Sequence, residues 1–166
     1  MKKLSVLFAA VMMLMTVGVA KAQKVASLDV ATVLNLMPEK KKADEQLMAL
    51  SNTKRAEIEK QMQSAQALLK KYSEEAPKQT QQVNDQRNAE LQKLQQNIEQ
   101  LQAAAQKDLS EKTDAAYGPI EKKFNDAVTR AATANGWDFV FDANNSGLIY
   151  KSGPDATAAV RKELGL

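Results

Sequence analysis

From residue 39 to residue 135 the apolar positions recur every three or four residues, and almost every position between them is Ala, Gln, Lys or Glu. Placed at helical steps, Ala43, Leu47, Leu50, Ile58, Met62, Ala65, Leu68, Leu69 and Tyr72 fall in one stripe roughly 120° wide. Off that stripe the only apolar residues are Met48 and alanines. Pro77 breaks the pattern, because proline lacks a backbone donor and disfavours helix at the residue before it. The stripe resumes with Val83, Leu91, Leu94, Ile98, Leu101, Ala105 and Leu109, at the spacing of a coiled-coil seam. Two single-striped helices joined by a short turn at Ala76–Pro77 predict an antiparallel hairpin with the stripes face to face. At 1.5 Å per residue the first arm would be about 55 Å long, too long and thin for a globular domain.

The ends of the chain follow another rule. After Gly118-Pro119 the helix continues with a wider apolar face (Ile120, Phe124, Ala127, Val128, Ala131) and should stop at Gly136. The segment "WDFVFD" alternates as a strand with Trp137, Phe139 and Phe141 on one side. "GLIYK" (147–151) reads as a second strand and "KVASLD" (24–29), before a helical turn through Val33, Leu34 and Leu36, as a third. A last helix is expected from about Asp155, the N-cap candidate, to Leu164. Together these end segments are roughly 45 residues, near the size below which a domain without disulfide or metal rarely stands alone. The expectation is an assembly core shared by several copies, built on Val25, Leu28, Trp137, Phe139, Phe141, Leu148 and Tyr150.

Charge changes this picture only once the N-terminus is read. Met1-Lys2-Lys3, an uncharged run from Leu4 to Ala20 and the triplet Ala20-Lys21-Ala22 have the form of a secretory signal peptide, 1–22, with the mature chain starting at Gln23. A retained anchor is the alternative, but the run is short for a span. With no cysteine there is no thioether-linked lipid anchor and no disulfide. Lys2, Lys3 and Lys21 fall in the leader, and they account for the whole formal charge of +3. A neutral mature chain lacks the basic footprint of a nucleic-acid binder.

Without His or Cys, zinc sites, thiol nucleophiles and Ser-His-Asp arrangements drop out. Carboxylate pairs such as Glu57/Glu59 and Glu74/Glu75 lie on polar helix faces, and no phosphate-binding loop is present. "DANNSG" places Asp142, Asn144, Ser146 and Gly147 like the start of an EF-hand loop, but position twelve is Gly153 and strands flank it, so a hairpin turn is the better reading. No cofactor is expected and no enzyme activity. The Gln-rich run from Gln79 to Gln106 reads first as a solvated helix face, and as a weakly sticky surface for unfolded segments second. Gly118-Pro119 is either a packed kink or the hinge of the arm.

The signal peptide, "KVASLDVATVLNLMPE", "PIEKKFNDAVTRAATANGWDFVFDAN" and "DATAAVRKEL" together resemble the Skp/OmpH family of periplasmic chaperones. The resemblance implies an α+β, mostly α homotrimer: a small β-rich trimerisation body (23–38 and 135–166) with a coiled-coil hairpin arm per subunit (39–134, tip near 76–78). It implies a periplasmic, ATP-independent holdase that keeps unfolded outer-membrane proteins in a cavity between the arms. The arm seam would be Leu47, Leu50, Ile58, Leu69, Tyr72, Val83, Leu91, Leu94, Ile98 and Leu101, the hinge Gly118 and Pro119, and the tip Ala76 and Pro77. The best-known relatives are strongly basic and this mature chain is neutral, which leaves lipid or lipopolysaccharide contact open, with no basic site to map residue by residue. The competing readings are a structural coiled-coil protein of the envelope and, less well matched, a histone-like DNA binder.

Overall fold

The structure, a computed structural model, describes residues 23–145, 147 and 149–166. The expected leader and the positions Ser146 and Leu148 lie outside the described residues. In chain order the elements are β1 (Val25–Leu28), α1 (Val30–Leu36), α2 (Pro38–Glu75), a 3-10 turn (Ala76–Lys78), α3 (Gln81–Asn135), β2 (Phe139–Asp142) and α4 (Thr157–Leu164). The fold is α+β and mostly α, with one small strand pair.

The two long helices follow local rules. α2 runs 38 residues from Pro38, where a missing N–H removes no helical hydrogen bond. α3 runs 55 residues from its cap Thr80, whose hydroxyl accepts from the Val83 N–H at 3.4 Å. Gly136, at φ 65°, ends α3 in a left-handed residue. Its N–H bonds to the Thr133 carbonyl and the Trp137 N–H to the Ala132 carbonyl, the paired pattern of a Schellman stop. The cross-hairpin pairs Glu39–Lys123, Lys54–Asp108, Tyr72–Glu90 and Glu75–Arg87 keep one register along the arm, each residue gained on α2 being one lost on α3.

β1 and β2 pair in parallel, with Val25 opposite Phe139, Ala26 opposite Val140, Ser27 opposite Phe141 and Leu28 opposite Asp142. Parallel neighbours need a long crossover, and here the crossover is the whole helical hairpin. Of the third strand expected at 147–151, none of the described residues belongs to a strand. The free edge of β1 is taken instead by residues 154–156. There the Ser27 N–H donates to the Pro154 carbonyl (3.0 Å) and the Ala156 N–H to the Ser27 carbonyl (2.8 Å).

The core lies where the hairpin meets the sheet. Ala26 and Leu28 of β1, Val33, Met37, Ala43, the α3 residues Ile120, Phe124, Ala127 and Ala131, and Ala156 with Val160 bury together. The packed body therefore reaches into α2 as far as Ala43 and into α3 from Ala116, beyond the division at 38 and 135 expected from the sequence. A second half of α3 supplies the apolar area that the end segments lack, so size alone does not force assembly. α4 starts one residue later than expected: Ala156 precedes it without a side-chain cap, while Asp155 accepts from the Thr157 N–H at 2.8 Å.

Candidate functional site

The arm is built on a seam with a seven-residue row. On α3, Arg87, Leu94, Leu101 and Asp108 occupy equivalent positions, interleaved with Leu91, Ile98 and Ala105. Ile98 and Ala105 are buried, and Val83, Leu91, Leu94 and Leu101 are half-buried. On α2 the half-buried positions include Leu47, Leu50, Lys54, Ile58, Ala65, Leu68 and Tyr72. Leu69, expected in the seam, is 56% exposed. Two adjacent leucines stand 100° apart on a helix, so only one can face α3, and the register set elsewhere selects Leu68.

Both ends of the row on α3 are charged and matched. Lys54 reaches Asp108 at 3.0 Å, and Arg87 reaches Glu75 at 2.5 Å while lying over the Tyr72 ring. Tyr72 donates to Glu90 (2.7 Å), which pushes its hydroxyl above the ordinary phenol range, and Asn84 donates to the Ala76 carbonyl (3.1 Å) to close the tip. From the sequence Lys54, Arg87 and Asp108 carried no role and Glu75 was placed on a polar helix face, whereas the structure ties it to Arg87. Their signal was available as charges falling on stripe positions, but which of them would meet depends on the register.

Between these clasps the hairpin is open on one flank. A groove of about 500 Å³ is lined by Ile58, Met62, Ala105 and Leu109 with Ser51, Lys54, Arg55, Glu59, Gln102 and Gln106. A second, of about 280 Å³, continues it toward the tip along Met62, Ala65, Leu69, Leu91 and Ile98 with Gln66, Gln95 and Gln102. Met62 and Gln102 belong to both. The mixed lining is apolar at its floor and amide or charged at its rim, suited to weak contacts of many kinds.

At the base of the arm Gly118 and Pro119 sit inside an unbroken α3. Ties to α2 flank them. Tyr117 donates to Asp44, which also holds Lys40 at 2.7 Å, and Lys123 pairs with Glu39. The Lys40 ammonium, then the Tyr117 hydroxyl, hold the Asp44 carboxyl below its usual range, and Asp44 in turn pushes Tyr117 up. Lys123 lowers Glu39 in the same way.

The predicted assembly residues separate into two sets. Leu28 is only 3% exposed inside the chain's own core, and Trp137 packs against that core from the Schellman stop rather than from the strand. Neither can present its side chain with the others. Val25, Phe139 and Phe141 share the outer face of the sheet, the two rings stacked 6.3 Å apart at 18°, each 46% exposed. Tyr150 is exposed and lines a shallow cleft with Val25 and Phe141; Leu148 lies outside the described residues. In the loop after β2, Asp142 accepts from the Asn144 N–H (3.0 Å) and the Asn145 amide (2.8 Å), so its carboxylate organises a turn. Asn144 also donates to Asp29, which caps α1 through Thr32.

Among the described residues no group of three acidic side chains is placed to hold a metal ion, and no helix is long and apolar enough to cross a membrane. A family model described as "Outer membrane protein (OmpH-like)" matches residues 24–164, body and arm together. No curated protein matches the chain.

Proposed function

The chain belongs to the OmpH-like family, and from that premise we propose that it is a periplasmic holdase chaperone, which binds unfolded outer-membrane proteins among the arms of a homotrimer without ATP. The observation that carries the reading is the arm. It continues for about 48 Å past Ala43, the last α2 residue of the core, at 1.5 Å per residue, and its open grooves serve no core. A protein whose largest element is a projecting two-helix arm has its working surface there. Weak contacts repeated along several arms hold a client by multivalency and leave it free to rearrange. The sequence has no His, the commonest acid–base group, and no Cys to act as a thiol nucleophile.

Assembly is assigned to the outer face of the sheet. Val25, Phe139 and Phe141 with Tyr150 form an apolar patch next to the edge of β2, which no other strand pairs among the described residues, and such edges are normally covered. Gly118 and Pro119 are assigned as the hinge on which an arm splays. The missing Pro119 donor weakens α3 there, and Gly118 has nothing within 4 Å of where a Cβ would stand. The neutral mature chain gives no reason to add a lipid or nucleic-acid partner.

The test is aggregation of a denatured outer-membrane β-barrel protein diluted from urea, followed by light scattering without nucleotide. The chain from Gln23 should suppress it. A version with residues 48–111 replaced by a short Gly/Ser linker keeps Ala43, Asp44 and Tyr117, and should assemble yet suppress nothing. Equal suppression by the shortened chain would move the working surface off the arm, and none by the full chain would leave a structural spacer.

A further inference from the structure

The sequence has no cysteine, so its only sulfur atoms are thioethers, and after residue 22 these are Met37, Met48 and Met62. Their environments differ sharply. Met37 is 1% exposed in the body core, Met48 is 67% exposed on α2 and lines neither groove, and Met62 is 42% exposed while lining both. In a chain with thiols an electrophilic oxidant is consumed there first. Here nothing of that kind competes with the two arm methionines.

We propose that Met62 is a reversible modification site through which oxidants of the hypochlorous acid class reset the arm, with Met48 as an accompanying target. The sulfur gains one oxygen and loses two electrons, chlorine is reduced to chloride, and one proton is released. The product sulfoxide is polar and is returned to the thioether by sulfoxide reductases. At Met48, outside the grooves, it changes only an already solvated surface. At Met62 it places a strong acceptor where the two grooves meet, next to Ile58 and Ala65, and makes that part of the lining less apolar. The side chain is half-exposed, so the helices need not separate to admit the oxygen. The consequence for clients rests on the holdase reading; the site of reaction rests on exposure alone.

The experiment treats the chain from Gln23 with graded hypochlorous acid and locates added oxygen by peptide mass spectrometry. Met62 and Met48 should be oxidised in the folded protein well before Met37, with the difference lost in denaturant. Met62 spared while Met37 reacts would overturn the proposal. Client holding by treated protein should weaken several-fold and recover after a sulfoxide reductase. Measured against its own untreated level, Met62→Leu should lose no holding on treatment, and Met48→Leu should lose it as the wild-type chain does. Equal loss in the Met62→Leu variant would overturn the assignment of the effect to this residue. Untreated protein that holds no client would refute the holdase reading instead, and the oxygen map then decides the site by itself.

Discussion

The guanidinium carbon of Arg87 lies 4.5 Å from the centre of the Tyr72 ring, on the helix opposite, at the last full turn before the tip. The same guanidinium bonds to Glu75 at 2.5 Å, while its Nη1 is buried without an acceptor among the described residues. One side chain thus ties the two helices together where apolar contacts run out. A charged residue in a seam costs stability and selects register. Slipping the hairpin by a turn would strand both Arg87 and Asp108.

Arg87→Ala should therefore loosen the tip and leave the body unchanged. The stacked cation contributes about 0.5–1 kcal/mol at a partly exposed site. Amide exchange should accelerate over residues 72–90 by roughly the corresponding factor of two to five, and not over 120–131. Arg87→Lys should recover only part of the protection, because an ammonium cannot both stack and fork.

The ties at the base of the arm make stability depend on pH. Asp44 is held below the ordinary carboxyl value of 3.8 by Lys40 and then Tyr117. A carboxyl with a depressed folded pKa contributes stability that is fully present above the unfolded value and lost as pH falls through the folded one. Glu39, depressed by Lys123, acts in the same sense below 4.5. Thermal midpoints of the wild-type chain should fall more steeply on acidification below these values than those of Asp44→Asn with Glu39→Gln. Parallel curves would show that the ties contribute nothing to folding.

Phe139→Asp should dissociate the proposed trimer. Covering the exposed half of the ring on assembly contributes about 1 kcal/mol per copy, a closed trimer loses it in every copy, and a carboxylate on a covered apolar face costs more. Met48→Asp, exposed on the arm and away from the sheet, should leave assembly intact. Sedimentation equilibrium of both variants decides the matter, and a Phe139→Asp protein of unchanged mass would remove the sheet face from the interface.

Gly118→Ala should raise the thermal midpoint. The residue is helical, a Cβ meets nothing within 4 Å, and alanine is better than glycine inside a helix by roughly 0.5–1 kcal/mol. As a hinge variant it should also narrow the distribution of distances between spin labels at position 76 of neighbouring arms. A more stable protein with an unchanged distribution would show a kink without mechanical use.

The sequence by itself determined the long-range plan wherever a feature depends on residues close in the chain. A stripe of period 3.6, a proline at 77 and a glycine at 136 decide helix, turn and stop through sterics and backbone donors, and the structure has each of them. The existence of a small sheet was legible for the same reason, from the alternation in "FVFD" and the apolar "VASL". Only the tertiary structure decided which residues share a face and which edges are filled. Trp137 leaves the strand because the Schellman stop uses its N–H, and Leu28 turns inward because it is out of phase with Val25 on a pleat of period two. The edge of β1 goes to residues 154–156, a choice between two segments that both come late in the chain. Likewise Leu68 replaces Leu69, and Lys54 finds Asp108, because a register common to the whole hairpin is fixed by the sum of its contacts. No local window of sequence contains that sum.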